Sequence, residues 1–129
     1  MPSRAIPLLI CRDIQASHDF LVNAFGFRPG GVFRDVAGSV VHGEIQVGDC
    51  TIWLHRVAPE HRLEAPTDIA SSGLVVLVED VDAHFVHAKA AGARIQSEPA
   101  DQPYGQREYG VLDADGHRWW FATPVGAKE

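Results

Sequence analysis

The chain has 129 residues, is 46% hydrophobic and carries a formal net charge of −6 at pH 7. This composition is typical of one folded domain with a buried interior and excludes an intrinsically disordered chain. No apolar run approaches the length of a membrane span, the N-terminus lacks the apolar centre of a signal peptide, and no basic cluster offsets the acidic charge. Nucleic acid and membranes are therefore not expected as partners.

The first half of the chain predicts a strand, a helix and three further strands. An apolar run over residues 5–11 indicates a buried strand. Asp13 is suited to begin a helix, apolar side chains then recur at four-residue steps, and Gly26 ends it. The strands that follow are expected around Arg28 to Phe33, Ser39 to Val47 and Thr51 to His55.

The same order of elements restarts after residues 57–72, a polar stretch with two prolines and no period that predicts a linker. Residues 74–78 indicate a second buried strand, and a second helix is expected from Asp80 to Gly92. Three more strands are expected near Arg94 to Ser97, Arg107 to Leu112 and Arg118 to Thr123.

The last two strands flank Asp113-Ala114-Asp115-Gly116, which is typical of a tight turn. Aligning this turn with Gly48-Asp49 places Trp120 at the position of Trp53. The chain therefore contains one unit twice within a single domain, and the two half-buried sheets must pack together within a chain or between chains. The two copies are module 1, over about residues 5–56, and module 2, over about residues 73–125.

The duplicated βαβββ order, the helix starts CRDIQASHDFL and VEDVDAHFVHA, and the closing strand-DxDG-strand hairpin resemble the glyoxalase/bleomycin resistance/dioxygenase superfamily, also called vicinal oxygen chelate proteins. The resemblance covers residues 5–124. It implies an α+β fold in which two tandem modules form incomplete barrels around a cavity, with helices on the outer face, and it implies a homodimer. Some members bind a divalent metal and act as lyases, isomerases, epimerases or ring-cleaving dioxygenases. Others lack metal and sequester planar antibiotics.

Metal-binding members take His, Glu or Gln ligands from the first and last strand of each half. The matching positions here are Ile6, Trp53, Gly73 and Trp120. None of these residues offers a ligand atom to a divalent ion. The resemblance therefore implies a member without the usual metal ligands, and no metal or other cofactor is expected.

His42 and Glu44 are the residues that could rebuild a metal site. They lie two apart on a predicted strand, so their side chains share a face. They form either a polar pair on that strand or part of an unconventional site. The other histidines are expected on the surface, at His18, His55, His61, His84, His87 and His117.

Trp53 and Trp120 offer two flat aromatic surfaces, suited to stacking a planar ligand. The alternative for both is packing in the core, which is the expectation for Trp119. An apolar lining is expected from the first strands, with Gly73 leaving room. The lining residues are Ile6, Leu8, Ile10, Val75 and Leu77.

Polar contacts to such a ligand are expected from the same surface. Arg107 and Tyr109 share one face of their strand, whereas Glu108 points to the other. Arginine can bind a carboxylate through two hydrogen bonds, and tyrosine can hydrogen-bond from an apolar wall. The predicted ligand-binding set is Trp53, Trp120, His42, Glu44, Arg107 and Tyr109.

Three functions follow from these residues. The favoured one is a metal-free protein that binds a planar aromatic compound, such as an antibiotic, without chemistry. The alternative is a metal-dependent lyase, isomerase or dioxygenase that uses His42 and Glu44. The third is a metal-free enzyme in which His42 or Glu44 is a general base and Arg107 stabilises an oxyanion.

The two cysteines bear on the compartment. Cys11 and Cys50 lie in apolar, strand-like surroundings without CxxC spacing. This predicts two reduced core thiols in a cytoplasmic protein, with a disulfide between them as the alternative.

Overall fold

The computed structural model describes residues 2–125, and this part of the chain contains two helices and eight strands. In chain order they are β1 (Leu8–Cys11), α1 (Ile14–Phe25), β2 (Arg28–Arg34), β3 (Val40–Val47), β4 (Cys50–Arg56), β5 (Gly73–Leu77), α2 (Val81–Ala90), β6 (Arg94–Asp101), β7 (Gln106–Leu112) and β8 (Arg118–Pro124). Neither helix is long and apolar enough to cross a membrane.

The chain divides into two compact units between Ala65 and Pro66, inside the predicted linker. Each unit contains one four-stranded sheet, in the order β1-β4-β3-β2 in the first and β5-β8-β7-β6 in the second. In both sheets, the strand that comes first in the chain runs parallel to the one that comes last, β1 to β4 and β5 to β8. The other neighbouring strands are antiparallel. The predicted α+β fold of two βαβββ modules is confirmed, and neither sheet closes into a barrel.

Both helices begin at the predicted aspartates. The Asp13 carboxylate accepts a hydrogen bond from the N–H of Ala16 at 3.0 Å, and Asp80 accepts from Ala83 at 3.1 Å. Each bond satisfies a donor that the start of a helix leaves unpaired. Gly26 then ends α1 at φ 74, a left-handed conformation without Cβ strain in glycine.

In module 1, one surface of the sheet packs on α1 and forms the core; we call it the helix face of module 1. It carries the buried side chains of Leu9, Cys11, Ile45, Ile52 and Leu54. A Cβ added at Gly43 would lie 2.7 Å from Cγ2 of Ile14, so the helix and β3 are in close contact here.

The prediction of two core thiols is correct for Cys11 and wrong for Cys50. Both cysteines are thiols, and Cys11 is buried. Cys50 is exposed because it begins β4 directly after the turn at Gly48-Asp49, where the strand leaves the core.

In module 2, the corresponding helix face packs on α2. It carries the fully buried Tyr109, Val111, Trp119 and Phe121. The Trp119 and Phe121 rings lie 6.2 Å apart and nearly parallel, and Phe85 of α2 meets Tyr109 edge-on at 5.3 Å. The expectation that Trp119 belongs to the core is confirmed.

The segment between the modules is more ordered than a polar linker predicts. It contains one turn of 3₁₀ helix at Pro59–His61. Near its end, the N–H of Ala70 donates to the carbonyl oxygen of Gly116 at 2.9 Å, and Nε of Arg118 donates to the carbonyl oxygen of Ala70 at 2.6 Å. The residues before β5 are thereby attached to the β7–β8 hairpin.

Candidate functional site

Each sheet has a second surface, opposite its helix face, which we call the open face. Side chains alternate along a strand, and register partners share a face. The open face of module 1 therefore carries Leu8, Ile10, Phe33, His42, Glu44 and Trp53, and that of module 2 carries Val75, Leu77, Glu108, Arg118 and Trp120. The apolar side chains in these two sets are half-buried or exposed, whereas Leu112 and Ala122, which share the open face of module 2, are fully buried.

Trp53 and Trp120 occupy equivalent positions in the two sheets. Trp53 lies between Leu8 of β1 and a β3 residue, Glu44. Trp120 lies in the same way between Val75 of β5 and Gly110 of β7. Trp53 is 41% exposed and Trp120 is half-buried, so neither belongs to its module's helix-face core.

Trp53 is one end of a row of three rings on the open face of module 1. The His42 ring meets Trp53 edge-on at 5.4 Å, and Phe33 lies 5.6 Å from His42 on its other side. Phe33 is 48% exposed. The sequence does not indicate Phe33 as a site residue, because its place opposite His42 follows from the irregular β2–β3 register.

His42 and Glu44 are in contact, as their spacing predicts. Nε2 of His42 lies 2.9 Å from Oε2 of Glu44, and each side chain is 28% exposed. Because Glu44 is directly opposite Trp53 in the register, the carboxylate is placed beside the row of rings. This open face thus combines aromatic surface with one half-buried acid.

Arg107 and Tyr109 are on the helix face of module 2, which corrects their predicted position beside Trp120. The hydroxyl of Tyr109, a fully buried residue, is 2.6 Å from Nδ1 of His84. Arg107 forms ion pairs with Asp82 at 3.0 Å and Asp101 at 3.3 Å. The predicted position was wrong because side chains alternate between the two faces of β7. Tyr109 pairs with Phe121, not with Trp120, and therefore shares the face of Phe121.

These contacts change the acidities of the groups involved. The hydrogen bonds from Arg107 hold the pKa of the Asp82 carboxyl below its ordinary value. Burial raises the pKa of the Tyr109 hydroxyl. Both effects are those of groups that stabilise the contact between α2 and the sheet.

Replacing Tyr109 by phenylalanine should lower the free energy of unfolding by about 1 kcal/mol, because it removes the hydroxyl from a buried hydrogen bond with His84. Urea denaturation would measure the change. Tyr104→Phe is the matched control, since that side chain is 66% exposed. Equal stability of the two variants would show that the bond to His84 contributes nothing.

Glu108, rather than Arg107, shares the open face with Trp120. Gly110 pairs with Trp120, so the side chain two residues earlier on β7 points the same way. The signal that could have found this is the hairpin register: Leu112 pairs with Arg118 around the Asp113–Gly116 turn. Counting outward from that pair assigns every side chain of both strands to a face.

Two histidines expected on the surface are instead packed against the sheets. His18 is 7% exposed; its Nε2 accepts from the N–H of Gly31 at 3.3 Å, and its Nδ1 lies 3.0 Å from Asp19. The hydrogen bond from His18 lowers the pKa of the Asp19 carboxyl. His84 stacks on Phe121 at 3.9 Å. The remaining four histidines are exposed or half-buried.

The four positions at which the family resemblance implies metal ligands offer no ligand atom to a divalent ion. They carry Ile6, Trp53, Gly73 and Trp120. The prediction that Gly73 leaves room is wrong. An added Cβ would collide with the carbonyl oxygen of Arg118 on β8. No ligand-bearing side chain can stand at this position without displacing the strand.

His42 and Glu44 supply two ligand atoms but not a complete site. A structural metal site normally takes four protein ligands, and a catalytic one three. Over residues 2–125, no group of three His, Cys, Asp or Glu ligand atoms within 4.8 Å of one another includes either residue.

Comparisons with known proteins agree with this architecture. A sequence model of the Glyoxalase/Bleomycin resistance protein/Dioxygenase superfamily matches residues 5–121. An uncharacterised protein of Mycobacterium tuberculosis is 30% identical over 124 residues, which are 92% of this chain and 73% of that protein.

Two solved structures extend the comparison. TioX from Micromonospora sp. ML1 superposes with a TM-score of 0.75 at 30% identity, covering 96% of this chain and 100% of that one. The fosfomycin resistance protein FosX from Mesorhizobium loti superposes with a TM-score of 0.68 at 15% identity, covering 95% and 92% of the two chains. At that identity, the likeness to FosX shows the fold alone.

The fold defines a class of proteins in which a βαβββ module occurs twice, each with one helix on a four-stranded sheet. The match over residues 5–121 is more specific. This chain belongs to the glyoxalase/bleomycin resistance/dioxygenase superfamily.

Proposed function

We propose that the protein is a metal-free member of its superfamily that binds a planar aromatic small molecule on its open faces, with Trp53 and Trp120 as stacking surfaces. The observation that carries this proposal is the row of Phe33, His42 and Trp53, which exposes two large aromatic rings on a surface opposite the helix. Large apolar groups left accessible in this way commonly mark binding sites.

The physical chemistry of such a surface favours flat, unsaturated ligands. Stacking on an aromatic ring is worth about 0.5–1.5 kcal/mol beyond the apolar area that it buries. Leu8 and Ile10 in module 1, and Val75 and Leu77 in module 2, provide apolar surface beside the tryptophans. Each open face also has a polar group, Glu44 in module 1 and Glu108 in module 2, which would orient a ligand bound to that face.

Metal independence belongs to the proposal because the four family ligand positions offer no ligand atom. The alternative, a metal-dependent lyase, isomerase or dioxygenase, would rest on His42 and Glu44 alone. The third possibility, a metal-free enzyme with Arg107 at an oxyanion, is disfavoured, since Arg107 lies on the helix face and is paired with Asp82 and Asp101.

An antibiotic is one candidate for the ligand, because the family that the chain resembles includes metal-free members that sequester planar antibiotics. A homodimer and a cytoplasmic location are further parts of the proposal. Both rest on the family resemblance, and the location also on the reduced state of Cys11 and Cys50.

The proposal predicts saturable quenching of tryptophan fluorescence by a planar polycyclic compound. Trp53→Ala and Trp120→Ala should each weaken binding roughly tenfold, the loss of one stacking surface. Tyr104→Ala is the control, because Tyr104 is an exposed aromatic residue in the β6–β7 turn. Unchanged affinity in both tryptophan variants would contradict the proposal.

Elemental analysis of the protein, purified without a histidine tag or chelator, separates this proposal from its alternative. We expect a substoichiometric metal content in wild type. Near one equivalent of a single transition metal, lost in His42→Ala, would instead establish the metal-dependent alternative.

A further inference from the structure

We propose that the ligand of module 1 is a planar aromatic cation, with Glu44 as its counter-ion. This inference rests on the proposed function and narrows it to one chemical class. It follows from the charge and hydrogen bonding of Glu44 and from the rings that surround it.

Glu44 is a half-buried carboxylate with spare hydrogen-bonding capacity. A carboxylate has about four lone-pair sites, and His42 Nε2 occupies one of them at 2.9 Å. Among the side chains of residues 2–125, no lysine or arginine forms an ion pair with Glu44. A bound cation would place a positive charge beside this carboxylate.

The rings beside Glu44 favour the same charge. The face of an aromatic ring is the negative end of its quadrupole, and tryptophan attracts cations most strongly. Trp53 is directly opposite Glu44 in the register, and Phe33 follows beyond His42. A flat cation on this surface would meet an aromatic face and a carboxylate together, whereas an anion would be repelled by both.

The acidic charge of the rest of the chain also favours a cationic ligand. Glu108 gives the open face of module 2 a carboxylate as well, and the chain carries a net charge of −6. Long-range attraction would therefore also raise the local concentration of cations.

Two probes of matched shape test the inference by equilibrium dialysis: N-methylquinolinium, a planar cation, and 1-methylnaphthalene, its neutral isostere. We expect the cation to bind wild type about tenfold more tightly than the neutral probe. Glu44→Gln should reduce this preference, because it weakens binding of the cation much more than binding of 1-methylnaphthalene. Glu60→Gln, which removes the same charge from the exposed 3₁₀ turn, should retain the preference.

The outcomes distinguish a failure of the cation inference from a failure of the proposed function. Equal affinity for both probes, each weakened by Trp53→Ala, would overturn the cation inference and leave the proposed function standing. An equal loss of preference in Glu60→Gln would also overturn it, because net charge alone would then explain the selectivity. Failure of both probes to bind wild type would overturn the inference and the proposed function together.

Discussion

Replacing Asp113 by alanine is expected to lower the free energy of unfolding of module 2 by about 3 kcal/mol or more, since buried donors lose their acceptor. Asp113 is 6% exposed. Its carboxylate accepts hydrogen bonds at 3.0 Å from Nε1 of Trp119 and from the N–H groups of Asp115 and His117. One side chain thus holds both the β7–β8 turn and the largest ring of the core. Chemical denaturation would measure the loss.

Further substitutions distinguish the stability contributed by the bond to the Trp119 indole from that of the bonds to the backbone. Asp113→Asn keeps an oxygen for the two backbone donors but places an amide N–H₂ towards the Trp119 indole, so we expect an intermediate loss. In a double-mutant cycle, Asp113→Ala and Trp119→Phe should destabilise by less than the sum of the single changes. Strict additivity would show that the indole bond contributes no stability.

The buried carboxyl group of Asp113 should also make the free energy of unfolding depend on pH. Burial raises the pKa of its carboxyl above the ordinary value of 3.8, so the folded state binds this proton more tightly than the unfolded state does. The stabilisation that this bound proton contributes is therefore fully present below pH 3.8 and is lost as pH rises through the folded-state pKa. The stability of wild type relative to Asp113→Asn should fall over this window, and a constant difference would contradict the assignment.

Replacing Gly73 by alanine should cost about 3 kcal/mol of stability, because the new Cβ would overlap the backbone of β8. The nearest atom is the carbonyl oxygen of Arg118, which cannot rotate away as a flexible side chain would. Val75→Ala is the matched control: it lies on the same strand and face, is 59% exposed, and should change stability by about 0.5 kcal/mol or less. Equal stability of the two variants would show that β5 moves freely against β8.

The Gly73 result would also bear on metal binding. The collision at Gly73 applies to every residue with a Cβ. A histidine introduced there would have to displace β5 before it could bind an ion.

The sequence determined most of the fold. Apolar runs of strand length, aspartates at Asp13 and Asp80, and the Asp113–Gly116 turn are local signals, since each depends on residues adjacent in the chain. Their repetition established two modules, and the alignment of the two turns placed Trp53 and Trp120 at equivalent positions, as the registers show. The contact of His42 with Glu44 was equally predictable from strand alternation.

The tertiary structure decided which face each side chain occupies. Arg107 and Tyr109 belong to the helix face and Glu108 to the open face, because strand register, rather than composition, sets the parity of β7. His18 and His84 are packed against the sheets, and Phe33 joins Trp53, through contacts between residues distant in the sequence. Local patterns specify the elements of this protein, but only the pairing of its strands specifies the surface that would meet a ligand.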